Sequence, residues 1–561
     1  MIIEWLSFPL FFCFLITGSL HSQPQYGMGK KQEILDAYTR LALKYDTIPK
    51  PLKTQNLNRI SVAQLANIVD LSLLTEKDSW DLDLLKSEYN LLIDVSPSGL
   101  NDHSFFKNGH LFSFQNKDIS LQIDPLLYLA IGDDRHSTTT PFRNSRGLSI
   151  RGNINKKVFF RTSIIENQAK FLPHIEKRIV DRNAIPGQGF YKRYQSNIFK
   201  KINGWDFLNA DGILTYQPST HFRASIGHGS FFLGNGYHSL LLSDYADNYF
   251  FLEFNTSIGI FNYKNIFAEL APIGSTIDVP GDLLAPKKYM ATHYLTIAIS
   301  KKLELSLFET VIFGRKDHFE FQYLNPLILY RVVEQKLDSP DNVMLGFDMN
   351  YKIGSKTKIY GQLLIDEMKT GEIFSGNGWW GNKIGYQLGY KQLDLFGIDH
   401  FDIQMEYNAV RPFTYSHKSS PKLDYSVASY SHYNLELAHP LGANFREGLL
   451  LLKYRINRKW SLSGKLITAR VGKSISENIG QDILLPNDTR VNDFSNKIGQ
   501  GDKTNILQLS TILSYEIRNN YYADFHFQYR KEQSNSGLFN EKSTYFCISF
   551  RANISHQKLD Y

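Results

Sequence analysis

Residues 521–530 read YYADFHFQYR, and residues 543–552 read STYFCISFRA. In the first, Tyr521, Ala523, Phe525, Phe527 and Tyr529 alternate with Tyr522, Asp524, His526, Gln528 and Arg530. In the second, Thr544, Phe546, Ile548, Phe550 and Ala552 alternate with Ser543, Tyr545, Cys547, Ser549 and Arg551. Successive side chains of a strand point to opposite faces, so a period of two sorts each stretch into an apolar, aromatic-rich face and a polar face. The same period runs through 343–352 and 401–408. An apolar face with aromatics near its ends can meet lipid, while the charged face needs water or partners. A soluble sandwich hides its apolar face and uses shorter strands. Strands of about 9–11 residues suit a tilted crossing of ~30 Å of hydrocarbon.

The remainder of the chain agrees. Among 561 residues there are 32 Tyr and 39 Phe, and aromatics make up 14%, while the mean hydropathy is −0.29. Soluble cores do not need so much Tyr; outer-membrane barrels place aromatic girdles at both interfaces. An aromatic-rich secreted all-β protein is the competing reading. Beyond the N-terminal leader no apolar run is long enough for a helical span. A closed barrel is then the spanning alternative, because in lipid every backbone group must be satisfied internally. About 450 residues after position 105, at roughly 25 per strand and connection, give about 18 strands, an even number as is usual. The expectation is an all-β membrane barrel, a closed antiparallel transmembrane β-barrel of about 18 strands over 105–561. Residues 553–561, NISHQKLDY, follow the last clear strand with only a weak strand pattern. Polar stretches at 133–147, 173–194, 271–288, 366–383, 411–439 and 471–502 read as loops from their Gly, Pro, Asn, Ser and Asp content.

Ahead of the barrel, residues 5–20 form an apolar h-region, and Ser19 to Ser22 supply small residues for cleavage after Ser22. Residues 1–22 therefore read as a signal peptide, although the n-region holds Glu4 and no Lys or Arg. An uncleaved anchor is the alternative, for which the run is short. Residues 23–104 read as a short helical segment on the periplasmic side. Ile34, Leu35, Tyr38, Leu41, Ala42 and Tyr45 recur at helical spacing, and Pro49 and Pro51 stop that helix. Ser61 and Gln64 resemble a capping box before a second helix, and a third runs from about Asp78 to Leu92. An independent helical domain tethered by 94–104 is the competing reading. The net charge of +7 is well mixed in sign, without a Lys/Arg block of the kind nucleic-acid binding needs. Cys13 lies in the leader, so the mature chain keeps only Cys547 and has no internal disulfide.

The most Gly-rich corner is RASIGHGSFFLGNGYHSLLLSDYADNYFFLEF, residues 223–254. A strand from Phe222 to Gly227 leads into an elaborate loop, and a second strand runs from Tyr249 to Phe261. Gly227, Gly229, Gly234 and Gly236 supply the turn positions and the close backbone approach. Further along stand AELAP (268–272), KKYMATHYL (287–295), FGRKDHFEFQYLNP (313–326), LDSPDNV (337–343), GNGWWGNK (376–383), VRPFTY (410–415) and AHPLGAN (438–444). Together these segments resemble the Wzi-type capsule assembly proteins of bacterial outer membranes, and more closely their Bacteroidetes relatives known as gliding motility protein RemB. The resemblance implies an 18-stranded barrel with a helical segment on its periplasmic side. It also implies surface attachment or assembly of capsular or other exopolysaccharide.

Residues with chemical potential are sparse. Gly227-His228-Gly229-Ser230 suggests an oxyanion loop, but no GxSxG elbow exists, and Ser230 or Ser239 with His238 and Asp244 reads better as loop packing. His293, His318, His432 and His439 are dispersed without metal-ligand spacing, so neither metal nor cofactor is expected. Loop carboxylates such as Asp133, Asp134, Asp278, Asp282, Asp338 and Asp341 read as solvated turns. Asn377, Trp379 and Trp380, with Arg411 and Tyr415, are the candidate carbohydrate contacts, because sugar C–H faces stack on Trp and hydroxyls match Asn. A Trp pair anchoring the barrel in the headgroup region is the plainer reading. Arg315–His318 and Arg331–Glu334 are expected to face the lumen as a charge network. The expected function is a non-enzymatic barrel of the bacterial outer membrane, whose partners are membrane lipid and surface polysaccharide and which contacts no nucleic acid. The alternatives are a gliding-motility or surface-adhesion component, with envelope or motility proteins as partners, and a diffusion porin.

Overall fold

The structure, a computed structural model, describes residues 32–45, 74–93, 102–106, 109–195, 203–272, 287–315, 319–419, 427–557 and 559–560. The expected signal peptide, the helix after Ser61, and Asp278, Asp282 and Lys316–His318 lie outside the described residues.

Eighteen strands form the wall. They are β1 (Ile119–Asp134), β2 (Phe142–Ile154), β3 (Val158–Lys170), β4 (Asn203–Tyr216), β5 (Phe222–Gly229) and β6 (Tyr249–Ile258). Then come β7 (Phe261–Leu270), β8 (Lys288–Ala298), β9 (Leu303–Phe313), β10 (Asn342–Ile353), β11 (Thr357–Glu367) and β12 (Lys383–Gln392). The last six are β13 (Phe401–Val410), β14 (Phe445–Arg455), β15 (Trp460–Lys473), β16 (Asp502–Arg518), β17 (Tyr521–Ser534) and β18 (Glu541–Ala552). Each pairs antiparallel with the next. β18 closes onto β1, from Tyr545 opposite Asp134 to Ala552 opposite Leu127. Closure satisfies the ladder without leaving an edge, as lipid requires. The alternation lands as expected: Ile131 and Ile548 are about two-thirds exposed on the outside, while Asp524 and Arg551 are buried within. Two boundaries around the Gly-rich corner differ from the sequence reading: the strand from Phe222 runs on to Gly229, so Gly227 and Gly229 lie in β5 rather than in the turn. The strand from Tyr249 stops at Ile258, because Gly259, at φ +58°, turns the chain back so that Phe261 already opens β7.

The two ends differ. On one side the connections are short turns, such as 155–157, 259–260, 354–356 and 519–520. In bacterial outer-membrane barrels such turns face the periplasm. The other side carries the long excursions, 171–202, 230–248, 314–341, 411–444 and 474–501. Only 135–141 separates β1 from β2, so the expected loop over 133–147 is mostly strand. Residues 173–194 include a helix, α3 (Pro173–Arg182).

At the short-turn end sit α1 (Gln32–Lys44) and α2 (Glu76–Ile93). Ile34, Ala37, Tyr38 and Leu41 pack on Leu82 and Leu85. Arg40 then fastens the pair to the wall. Its guanidinium reaches Asp78 of α2 at 3.1 Å, Asp402 of β13 at 2.6 Å, Asp399 at 3.2 Å, and Asp394 in the same turn. Arg455 meets Asp81 at 2.8 Å, and Arg551 meets Glu33 at 2.7 Å. The described residues after β18 do not form a strand. They bend into the lumen, where His556 meets Tyr128 at 3.1 Å, Gln557 donates to Pro186 O at 2.7 Å, and Asp560 pairs with Lys465.

The excursion 314–341 takes an unexpected course. Its helix α4 (Tyr330–Leu337) and the turn Phe321–Leu324 pack on Phe267, Ala291, Val311, Phe313 and Val343, which are outward-facing wall residues. This segment therefore lies against the outside of the barrel. Arg331, 60% exposed at its side chain, pairs with Glu334 at 2.5 Å there rather than in the lumen, and Arg315 pairs with Asp341 at 2.7 Å. Periodicity could not reveal this, since a strand pattern does not say which face an intervening segment will cover.

The Arg40 junction yields a prediction. Burial alone would raise the Asp78 and Asp394 carboxyls. Hydrogen bonds from His400, Lys44 and Tyr45 to Asp78, and from Arg40 and Lys356 to Asp394, hold both far below the usual range instead. That stabilisation is present above the ordinary carboxylate pKa of about 3.9 and is lost as pH falls through the depressed values. Wild-type helices should stay docked at pH 5. Arg40→Met strands buried carboxylates at a cost of about 3–5 kcal/mol, so amide exchange across 32–44 and 76–93 should accelerate. Unchanged exchange in the variant would contradict the junction.

Candidate functional site

The loop between β5 and β6, residues 230–248, folds into the lumen instead of out into solvent. Its backbone binds polar wall residues. Tyr237 N and His238 N donate to Glu406 at 2.7 and 3.1 Å, Leu240 N donates to Gln362 at 2.8 Å, and Asn235 donates to Asp348 at 2.8 Å. The glycines permit this approach: a Cβ on Gly234 would collide with Gln362, and one on Gly236 with Gln387 at 2.6 Å and Glu406 at 2.7 Å. Behind them Leu240, Leu241 and Leu242 are fully buried among Phe308, Ile312, Met344, Leu364 and Val410 of the inner wall. The lumen is thus apolar at this level, where a uniformly polar inner face was expected. The apolar run Thr310–Phe313 in β9 is the sequence signal for it.

The loop between β13 and β14, residues 411–444, packs over the first. Tyr415 and Tyr430, stacked at 5.8 Å, donate their hydroxyls to Leu240 O and Leu241 O, each at 2.8 Å. Helix α3 holds the same loop: Arg178 and Arg182 reach the buried Glu436 at 2.8 and 2.7 Å. Both loops meet the wall at Glu447 of β14, which takes His238 Nδ1 at 3.0 Å and His439 Nε2 at 2.9 Å on one oxygen.

Among the described residues, three groups of His and acidic side chains have metal-ligand proximity: His238, His439 and Glu447; Asp524, His526 and His556; and Asp78, Asp81 and His400. In the first, His439 Nδ1 accepts the Leu441 N–H at 3.2 Å, which leaves its proton on Nε2, directed at Glu447. That tautomer makes the group a hydrogen-bonded node rather than a ligand set. In the third, Arg40 occupies the space between the carboxylates. The second lies in the lumen, where Asp524 already accepts Arg551 Nε at 2.9 Å. Between the loop plug and the helices lies a chamber of two adjoining cavities of about 440 and 370 Å³, both lined by Asp36, Arg143, Lys453, Gln557 and Asp560.

The expected carbohydrate contacts divide. Asn377, Trp379 and Trp380 lie in the β11–β12 connection, fastened to the β15–β16 connection by Trp380 N to Asp493 O at 2.8 Å and Ser495 N to Asn377 O at 2.8 Å. The Trp rings lie 5.9 Å apart and half-buried, and Arg490 sits 3.9 Å over Trp380. Arg411 donates to Asn382 O at 2.6 Å and Trp379 O at 3.3 Å, so it braces this segment from below. Tyr415 turns away. Phe413 at φ +67° and Tyr415 at φ +72° send the chain inward, and Tyr415 is 1% exposed, buried against the 230–248 loop. Sequence spacing placed Tyr415 beside Arg411 but could not show that reversal.

No family model matches the sequence, and no curated protein does. Among solved structures, the chain is similar to Wzi of Escherichia coli, an outer-membrane protein involved in group 1 capsule assembly and a carbohydrate-binding β-barrel. The TM-score is 0.57 at 13% identity, over 96% of this chain and 100% of that one. OprD of Pseudomonas aeruginosa follows with TM-score 0.41 and 10% identity over 77% of this chain and 94% of that one. OccAB2 of Acinetobacter baumannii gives 0.41 and 9% over 77% and 97%. At such identity the Wzi likeness concerns the fold, that of an outer-membrane β-barrel.

The Glu447 node gives a pH dependence. Burial would lower the His238 imidazole, but the Glu447 carboxylate more than reverses this and raises it, while burial keeps His439 below its ordinary value. A raised His238 stabilises the docked loop below its unfolded pKa of about 6.5, and that contribution fades as pH climbs through the raised value. Amide exchange in 230–248 should quicken between pH 6 and pH 9 beyond its intrinsic rate. His238→Asn should flatten the dependence. Identical profiles for the two proteins would count against the node.

Proposed function

We propose that this protein is a filled barrel of the bacterial outer membrane that attaches or assembles surface polysaccharide, binding polymer at its long-loop end without bond chemistry. The observation that carries this reading is the built closure of the lumen by 230–248 and 411–444, in a fold similar to Wzi along nearly the whole chain. A diffusion porin needs a continuous aqueous path, and three buried leucines packed against the inner wall are ill suited to one. Trp379 and Trp380 form the contact surface in this reading. Asn377 Oδ1 accepts the backbone N–H of Trp379 at 3.0 Å, Arg411 holds the Trp379 carbonyl, and Arg490 lies over the Trp380 ring before any ligand arrives. Preorganisation of this kind spares a ligand the cost of ordering the loop. Tyr415 acts behind it, as a support for the plug.

Purified protein should retain the cell's own surface polysaccharide on a glycan array or in a pull-down, and Trp379→Ala with Trp380→Ala should weaken retention about tenfold or more, as loss of two stacking contacts implies. In planar bilayers the same protein should show no steady conductance. Glycan retention unaffected by the double substitution would remove the Trp pair from the reading, and a stable open channel would favour a porin.

A further inference from the structure

The outward face of a membrane barrel is expected to be apolar, yet one row of it is not. Asn265 of β7, His293 of β8 and Glu309 of β9 stand directly opposite one another across the ladder, on the side of the wall that elsewhere meets lipid. Their neighbours on that side, Leu305, Leu307, Leu345 and Phe347, are exposed apolar residues. The polar row is instead buried, each member under 9% exposed, because the excursion 319–341 lies over it. Tyr330 of α4 stacks on the His293 ring at 4.1 Å. Arg331 N donates to Glu309 Oε1 at 3.4 Å, and the Tyr263 hydroxyl holds Pro326 O at 2.5 Å. The covering segment is itself coated with apolar groups: Phe321, Leu327 and Leu329 are 76%, 85% and 59% exposed. Lying on the outer wall, that coat suits hydrocarbon.

Beneath this cover Asn265 Nδ2, His293 Nε2 and Tyr330 Oη lack a hydrogen-bond partner, and Glu309 Oε2 has only the His293 Nδ1 contact. Buried polar groups left unpaired are costly, and these gather from neighbouring strands and a helix in one place. His293 Nδ1 lies 3.5 Å from Glu309 Oε2. With its proton directed at that carboxylate, the imidazole offers the lone pair of Nε2 to an occupant, beside donors on Asn265 and Tyr330. The nearby cations are spent, Arg315 on Asp341 and Arg331 on Glu334. An anionic headgroup would therefore face the Glu309 carboxylate uncompensated. A hydroxyl fits, since it donates to Nε2 and accepts from the amide or the phenol.

We propose that Asn265, His293, Glu309 and Tyr330 form a lipid-side binding site for a hydroxyl-bearing, uncharged headgroup, that of a glycosylated membrane lipid, with 319–341 as its membrane-facing cover. The site lies on the outer wall, apart from the Trp379 and Trp380 surface, so either can fail alone. The test uses the full-length protein in phosphatidylcholine nanodiscs doped with glucosyl-diacylglycerol, with diacylglycerol of the same chains, or with phosphatidylglycerol, read by native mass spectrometry. Retention of the glucosyl lipid should exceed that of the other two at least fivefold. Tyr330→Phe and Asn265→Leu should each abolish that preference, while Trp379→Ala with Trp380→Ala leaves it intact. Tyr330→Phe keeps the ring stack and removes only the hydroxyl, and heat-modifiable migration on gels reports that each variant is folded. Equal retention of all three lipids, preference for phosphatidylglycerol, or a preference unchanged in Tyr330→Phe would overturn the proposal.

Discussion

A closed antiparallel ring delivers every second side chain of eighteen strands to its interior. Asp348, Glu406, Glu447, Asp524 and Arg551 arrive there buried, and none can remain an isolated charge. Much of the remaining structure answers that constraint. The 230–248 loop supplies N–H donors to Glu406 and Asp348 and an imidazole to Glu447; the residues after β18 supply His556 near Asp524 and Asp560 to Lys465. At the short-turn end Arg40 enters a ring of aspartates as its counterion. The plug elements are in this sense the solvent of the lumen, with fixed dipoles where an open pore would hold water.

A filled lumen changes what the barrel can do. Transport through the centre would require breaking the Glu447 node, the tyrosine bonds to Leu240 and Leu241, and the Arg40 junction. Surfaces remain the natural place for function: the long-loop end with its braced Trp pair, and the outer wall with its covered polar row. The first agrees with a role in holding polymer. The second faces the bilayer and invites a different ligand.

Much of this barrel was legible because its signal is local. The period of two in 521–530 and 543–552 sorted the two faces, and chain length set the number of strands. The first helix at the short-turn end follows from helical spacing around Ile34 to Tyr45, and the one expected from about Asp78 to Leu92 is α2. What escaped was long-range. Leu240–Leu242 and the Leu327–Tyr330 run are apolar stretches inside what reads as loop, and only tertiary contact shows that one turns inward and the other outward. The run Thr310–Phe313, apolar on both faces of β9, is the local trace of both covers. Of the expected ligand contacts, Asn377, Trp379, Trp380 and Arg411 converge because two loops are laced together; Tyr415 departs because backbone at positive φ, which residue spacing does not encode, carries it below.

The central claim, a filled barrel that holds surface polymer, is tested most directly in cells. A strain lacking the gene would be compared with its parent, with surface polysaccharide quantified in the cell-bound and released fractions. The account predicts a shift from bound to released that the intact gene restores. Unchanged fractions would contradict it and move the function of this barrel to motility, adhesion or transport.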